Sequence, residues 1–276
     1  VLMDLVEDVI FGCVDTIGSQ AGDIARTSWL AAGLSEEVPG TTIDRQCGSS
    51  QQALHFAAQA VMSGTNDIVV AGGVQNMSQI PISAAMLAGK EFGFDDPFTG
   101  SEGWVSRYGS GLLSQFSSAQ MIAEKWNITR LDMEKFALES HKRAISAIED
   151  GKFKDEISII KNNDKYISKD GCIRPNTSQD TLDNLKLAFN ENGTITAGTS
   201  SPLTDGASAT LICEEEYAQK NNLDILARIK STSVNGCAPE FMGLGPIEAS
   251  RKALSRANLN INDIDIFEIN EAFSSQ

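Results

Sequence analysis

Between residues 8 and 74 the sequence switches repeatedly between two periodicities, and few folds accommodate that. Residues 8–14 (DVIFGCV) form a strand-like apolar run. Residues 21–34 place Ile24, Ser28, Ala31 and Ala32 at helical spacing. Residues 38–45 are extended and rich in β-branched side chains, residues 48–62 are helical again, and residues 67–74 (DIVVAGGV) read as a short buried strand. Strand and helix in alternation predict a layered α/β core.

Downstream the pattern breaks and then resumes. Residues 77–111 are rich in Gly, Ser, Pro and Phe with little periodicity. Two helices are expected next, at 117–126 and 131–149, the second with a stripe of Met133, Phe136, Ala137, Ala144 and Ile148. A lysine-rich loop region follows at 151–175, and the whole middle segment reads as an insertion or lid. Strands are expected at 207–213, 225–233 and 264–269, and helices at 215–221 and 246–257.

With 41% apolar and 21% charged residues over 276 positions, a sizeable core is available and global disorder is excluded. A net charge of −15 argues against a nucleic-acid partner, because no excess of Lys and Arg is present to neutralise phosphates. No apolar run approaches the length of a membrane span. Cysteines stand at 13, 47, 172, 213 and 237, with no CxxC, and His55 and His141 are the only histidines, so no metal site is expected. Free thiols fit a reducing compartment, hence a cytoplasmic expectation. The first residue is Val and the chain stops soon after a polar-aromatic motif, which reads as a fragment truncated at both ends.

Cys47 is the sharpest single feature. It lies where the extended run gives way to the helix, followed by Gly48 and two serines. A thiol at a helix N-terminus faces unpaired backbone N–H groups and the positive end of the helix dipole, which favour thiolate. The Ala-rich helix that follows predicts burial between layers and a thiol set in a pocket. Placement alone leaves a second reading open, that of an inert buried thiol. His55 is a poor base, since eight residues along one helix is about 12 Å.

Other segments carry weaker signals. Residues 196–209 (TAGTSSPLTDGASA) form either a tight loop or a ligand-approaching loop with Ser201 as hydrogen-bond partner. Residues 241–246 (FMGLGP) enter a helix at Pro246, with Met242 either in a tunnel wall or in the core. At the end of a strand-like run Asn270, Glu271 and Phe273 are presented together, with Asn270 either holding a water or capping a helix. In 151–175, Lys152, Lys154, Lys161, Lys165, Lys169 and Arg174 outnumber Asp155, Glu156, Asp164 and Asp170, a local positive region that could meet phosphates or simply be solvated.

Taken together, DRQCGSSQQA around Cys47, GGVQNMSQIP from Gly72, TAGTSSPLTDGA from Thr196, MGLGP from Met242 and NEAF from Asn270 resemble the thiolase family, in the family's order and across nearly the whole chain. The resemblance implies two similar halves packed as an α-β-α-β-α core with an inserted loop domain. The implied division is 1–76 as part of the N-terminal half, 77–196 as the loop domain, and 197–276 as the rest of that half and the start of the second. It implies an acyltransferase in which Cys47 attacks a 3-oxoacyl-CoA, acetyl-CoA leaves, and the acyl group passes to a second CoA, or the reverse condensation. Coenzyme A is then a co-substrate and no cofactor is bound permanently. Ser201, Met242 and Phe273 would hold the pantetheine arm and Arg174 the nucleotide end, while Asn270 would hold an oxyanion-hole water and the Cys47 N–H a second hole. A homodimer or homotetramer is implied.

The family's G-H-P histidine and C-x-G-G-G cysteine do not occur in these residues, so the chain by itself is expected to be inactive. Gln115 and Phe116 stand where the biosynthetic branch has a His-Met pair, which favours catabolic or bulkier acyl groups, and Thr199 replaces a more familiar Asn. A non-catalytic thiolase-like lipid carrier or scaffold, and a ketosynthase-type condensing enzyme, are the competing readings.

Overall fold

The computed structural model describes residues 3–111, 113–188 and 192–276. In chain order the elements are β1 (Asp8–Gly12), α1 (Ile24–Ala31), β2 (Gly40–Ile43), α2 (Ser49–Met62), β3 (Ile68–Asn76), α3 (Ala84–Ala88), α4 (Glu102–Tyr108), α5 (Gln115–Lys125), α6 (Arg130–Glu149), β4 (Ile160–Asn162), β5 (Lys165–Ile167), α7 (Gln179–Asp183), β6 (Asp205–Cys213), α8 (Glu215–Lys220) and α9 (Gly245–Ala257). They fall into two compact units, Val1–Gly111 with Leu203–Thr232, and Leu112–Pro202 with Ser233–Gln276.

The first unit is built on a mixed sheet of order β2-β1-β3-β6. The pairs β1–β2 and β1–β3 are parallel, and β6 runs antiparallel to β3. Alternation along the strands sends apolar side chains to both faces. On one face Val9 and Val70 meet Ala25 and Trp29 of α1, together with Val6 and Val38. On the other, Ile10, Val69 and Ala71 meet Ala53 and Ala57 of α2. Val9, Val69, Ala25, Ala53 and Ala57 are fully buried, and each such Val contributes about 2 kcal/mol relative to exposure. The sheet is therefore covered by one helix on each side. Its register puts Asn76, the last residue of β3, opposite Asp205, the first of β6. A tight hairpin would join such strands in a few residues; here residues 77–204 intervene. Ser78 closes the neck, donating its N–H (2.8 Å) and Oγ (2.6 Å) to the Asp205 carboxylate.

In the second unit, α5 and α6 enclose a core of Ala119, Ala123, Met133, Ile195 and Phe273. Thr129 and Asp132 form a capping box that starts α6. Glu134 is buried at 2% exposure, and its carboxylate accepts from Arg130 Nε (2.7 Å) and Gln179 Nε2 (2.7 Å). Arg130 also donates to the carbonyls of Leu182 and Leu185, which fastens α7 to α6.

Two sequence expectations fail. Residues 225–233 and 264–269 form no strand. A strand is completed by a partner strand in register, and among the described residues neither segment joins a β-ladder. Most of their apolar side chains stay open to solvent, Leu226 at 97% and Ile266 at 83% exposure. The helix α2 also departs from expectation. It is buried on the face carrying Ser49, Gln52, Ala53, His55, Ala57 and Ala58, while Phe56 and Met62 are exposed, because one sheet and not two packs against it.

Candidate functional site

Cys47 occupies the turn that joins β2 to α2. Gln46 has a positive φ of 48°, uncommon outside Gly and Asn, and its N–H donates to Asp44 Oδ1 (2.8 Å). The Gly48 N–H donates to the Arg45 carbonyl (3.1 Å) and the Ser49 N–H to the Gln46 carbonyl (3.0 Å). Buried Ser49 locks this geometry: its Oγ accepts from the Arg45 N–H (2.8 Å) and donates to the Gln46 carbonyl (2.5 Å). The turn thus holds Arg45, Gln46, Gly48 and Ser49 while the Cys47 side chain remains exposed. This exposure departs from the enclosed setting expected for the thiol.

Two glycines seat the turn on the sheet. A Cβ on Gly12 would lie 2.2 Å from the Ser50 nitrogen, and one on Gly73 would lie 1.9 Å from Ser50 Oγ. Both distances are far inside van der Waals contact, so the first turn of α2 rests directly on the β1 and β3 backbones. These glycines and Ser49 are site residues that sequence reasoning passed over; the GG of the β3 motif was the available signal.

Two groups of the elements that carry this turn, and a third at the far end of β6, have displaced titration. Burial, reinforced by the Arg45 charge, pushes His55 below the ordinary histidine value. Burial, then Asp15 and Asp44, pushes Cys13 up. Burial and Glu214 do the same for Cys213. Cys13 is 1% exposed and behaves as a packing residue.

In the second unit, Ser201 and Asn270 line one cleft of about 430 Å³, with His141, Cys172, Ser140 and Glu271 among its other walls. Backbone pairing brings the two motifs together. Ser200 bridges to Phe273, the Ser201 N–H donates to the Ala272 carbonyl (2.9 Å), and the Ser274 N–H donates to the Thr199 carbonyl (2.9 Å). Thr199 is buried, and its Oγ1 accepts from the Thr196 N–H (3.1 Å), closing the 3-10 turn Ala197–Thr199. Ser140 Oγ donates to Glu271 Oε2 (2.6 Å) across the cleft.

The remaining expected site residues sit elsewhere in this unit. Arg174 lines an adjoining cleft of about 300 Å³, which shares His141; its backbone N–H approaches His141 Nδ1 at 3.4 Å. Phe273 is buried in the core, edge-on to Phe116 at 5.3 Å between centroids, and does not line the larger cleft. Met242 is 38% exposed on the 3-10 stretch Pro239–Leu244. Among the described residues no cluster of His, Cys, Asp and Glu could hold a metal ion, and no helix is long and apolar enough to cross a membrane.

Comparison with known proteins adds independent findings. Residues 1–216 match the model for the thiolase N-terminal domain, and residues 223–276 match that for the thiolase C-terminal domain. The steroid 3-ketoacyl-CoA thiolase FadA6 of Mycobacterium tuberculosis is 51% identical over 269 residues, 98% of this chain and 66% of the relative. A 3-ketoacyl-CoA thiolase of Shewanella loihica is 42% identical, covering 98% of this chain and 68% of that protein. The crystal structure of the Bacillus anthracis acetyl-CoA acetyltransferase superposes with a TM-score of 0.81 at 34% identity, over 99% of this chain and 70% of that one. The chain therefore spans about two thirds of the length of the relatives it matches.

Proposed function

Because the chain belongs to the thiolase family, we propose that it carries the nucleophile and part of the binding surface of a 3-oxoacyl-CoA thiolase. The observation that carries this reading is Cys47, exposed on a rigid turn at the start of α2. In the proposed reaction Cys47 Sγ, as thiolate, attacks the C3 ketone of a 3-oxoacyl-CoA. The C2–C3 bond breaks, its electron pair leaves on the acetyl-CoA enolate, and that carbon takes up a proton. The acyl group stays on Sγ as a thioester until the thiolate of a second CoA attacks it and frees Cys47. Sulfur both attacks and leaves readily near neutral pH.

Both carbonyl attacks develop an oxyanion, which hydrogen-bond donors stabilise. We assign one such role to the Cys47 backbone N–H and another to a water held by Asn270, whose side-chain amide offers both donor and acceptor. Ser201, in the same cleft as Asn270, is assigned to the pantetheine arm. Met242 and Phe273 are assigned to its apolar wall, Phe273 from within the core, and Arg174 to the nucleotide end.

The names of the relatives, steroid and 3-ketoacyl-CoA thiolases, together with Gln115 and Phe116, favour degradation of a bulky acyl group. The interruption of the β3–β6 hairpin by residues 77–204 supports reading 77–196 as an inserted loop domain, between 1–76 and 197–276. Within that reading two α/β halves form five layers, and exposed apolar side chains such as Phe92, Phe94 and Tyr166 support assembly into a homodimer or homotetramer. A reducing, cytoplasmic setting suits a free catalytic thiol.

The test is acylation. Incubated with a 3-oxoacyl-CoA, the protein is expected to gain one acyl group on the Cys47 peptide by mass spectrometry, and Cys47→Ser to gain none. Equal acylation of both would sink the reading. The 276 residues contain neither the G-H-P nor the C-x-G-G-G motif, so acylation without sustained turnover is the expected behaviour of this chain.

A further inference from the structure

Beyond Gly12, the last residue of β1, the chain leaves the sheet through Cys13, Val14 and Asp15, and the backbone groups of this exit need partners. Two glutamines supply them. Gln75 Oε1 accepts from the Val14 N–H (3.0 Å) while its Nε2 donates to the Val14 carbonyl (3.0 Å). Gln20 Nε2 donates to the carbonyls of Val14 (3.2 Å) and Asp15 (3.0 Å), and its Oε1 accepts from the Asn76 N–H (2.7 Å). Gln20 is 2% exposed and Asp15 4%. The Asp15 carboxylate reaches onward to the N–H groups of Ser83 (2.9 Å) and Ala85 (2.8 Å).

This clasp joins the exits of the two strands on which the Cys47 turn is seated. Gly12 immediately precedes the clasped exit, and Gly73 lies two residues before Gln75; both abut Ser50. The Cys13 N–H donates to the Ile43 carbonyl (3.0 Å), which extends the tie to the end of β2, from which the turn departs. Each glutamine acts as donor and acceptor at once, a pairing that neither a carboxylate nor an apolar side chain provides.

We infer that Gln75 and Gln20 are positioning residues for the nucleophile: by clasping Val14 they hold Gly12 and Gly73 as a rigid seat that fixes where Cys47 Sγ stands at the start of α2. The inference rests on Cys47 being the reactive thiol, but its test reads only the geometry of the turn.

A brief iodoacetamide pulse on the 276-residue chain, followed by peptide mass spectrometry, yields the ratio of alkylation at Cys47 to that at Cys237, an exposed thiol in the other unit. In Gln75→Leu and Gln20→Leu, at a temperature where the far-UV spectrum matches the parent, that ratio is expected to fall about fivefold, since a thiol no longer held in one orientation loses the fixed approach that attack requires. Gln75→Glu keeps the acceptor for the Val14 N–H and loses the donor, so its ratio is expected to lie between. A residue that only stabilises the fold would lower the unfolding midpoint and leave the ratio unchanged. An unchanged or raised ratio in the folded Leu variants overturns the inference. Should Gln75→Leu not fold, Gln75→Glu is judged by the same criterion. Loss of the clasp effect would leave the acyl-transfer reading intact, and failure of Cys47 acylation would leave the clasp intact.

Discussion

A hydrogen atom in place of a methyl group decides where α2 begins. With the Ser50 nitrogen 2.2 Å from the Cβ that Gly12 lacks, Gly12→Ala has no side-chain end to push aside and must move backbone. The expected cost is about 1–3 kcal/mol, read as a lower urea midpoint with an unchanged slope, together with slower alkylation of Cys47. His55 makes a prediction of opposite character. Its folded pKa is depressed by burial and by Arg45, so at mildly acidic pH the unfolded chain binds the proton more readily. Stability therefore falls as pH drops below the ordinary value of about 6.5. His55→Gln is expected to flatten that decline between neutrality and pH 5, measured by urea unfolding across the range. A decline of equal slope in the variant would place its origin elsewhere.

Between elements, Arg130 and buried Glu134, an ion pair within α6, each bond to α7, through the Leu182 carbonyl and Gln179 respectively. Removing the carboxylate leaves Arg130 and Gln179 facing a buried gap. Glu134→Ala is expected to cost about 3 kcal/mol, and Glu134→Gln less, by thermal unfolding; equal losses would mean that the charge is irrelevant. The periodicity of 8–76 was legible because β1 and β3 bury what their patterns predict, whereas α2 keeps the predicted helix but buries one face only. The stretches 225–233 and 264–269 carry the same apolar character yet form no strand, because apolar content recruits a face whereas a strand also needs a partner strand in register. The pairing of 199–201 with 272–274 is the converse: neither segment reads as a strand, and backbone proximity creates the ladder.

Over the whole molecule, the proposed assembly is open to test at exposed apolar side chains such as Phe92 and Phe94. Self-association is the expected outcome. Light scattering at rising concentration should report a mass above the 29.6 kDa of one chain, and Phe92→Ser with Phe94→Ser should shift it towards one. A monomer at all concentrations would remove the support for a homodimer or homotetramer. Acylation of Cys47, lost in Cys47→Ser, is the functional prediction at this scale.

From residue order alone came the α/β alternation, the reactive candidate at the strand-to-helix junction, and the family resemblance, because local periodicity and short motifs are written along the chain. Only the tertiary structure decided that Cys47 stands exposed, that Phe273 turns into the core against Phe116, that Ser201 and Asn270 share a cleft, and that Gln20 and Gln75 grip Val14. The physical reason is separation along the chain. Gln75, 61 residues from Val14, and Gln20, 56 from the Asn76 N–H it also accepts from, are indistinguishable from any surface glutamine until folding closes the intervening chain and sets each amide against the backbone group that needs it.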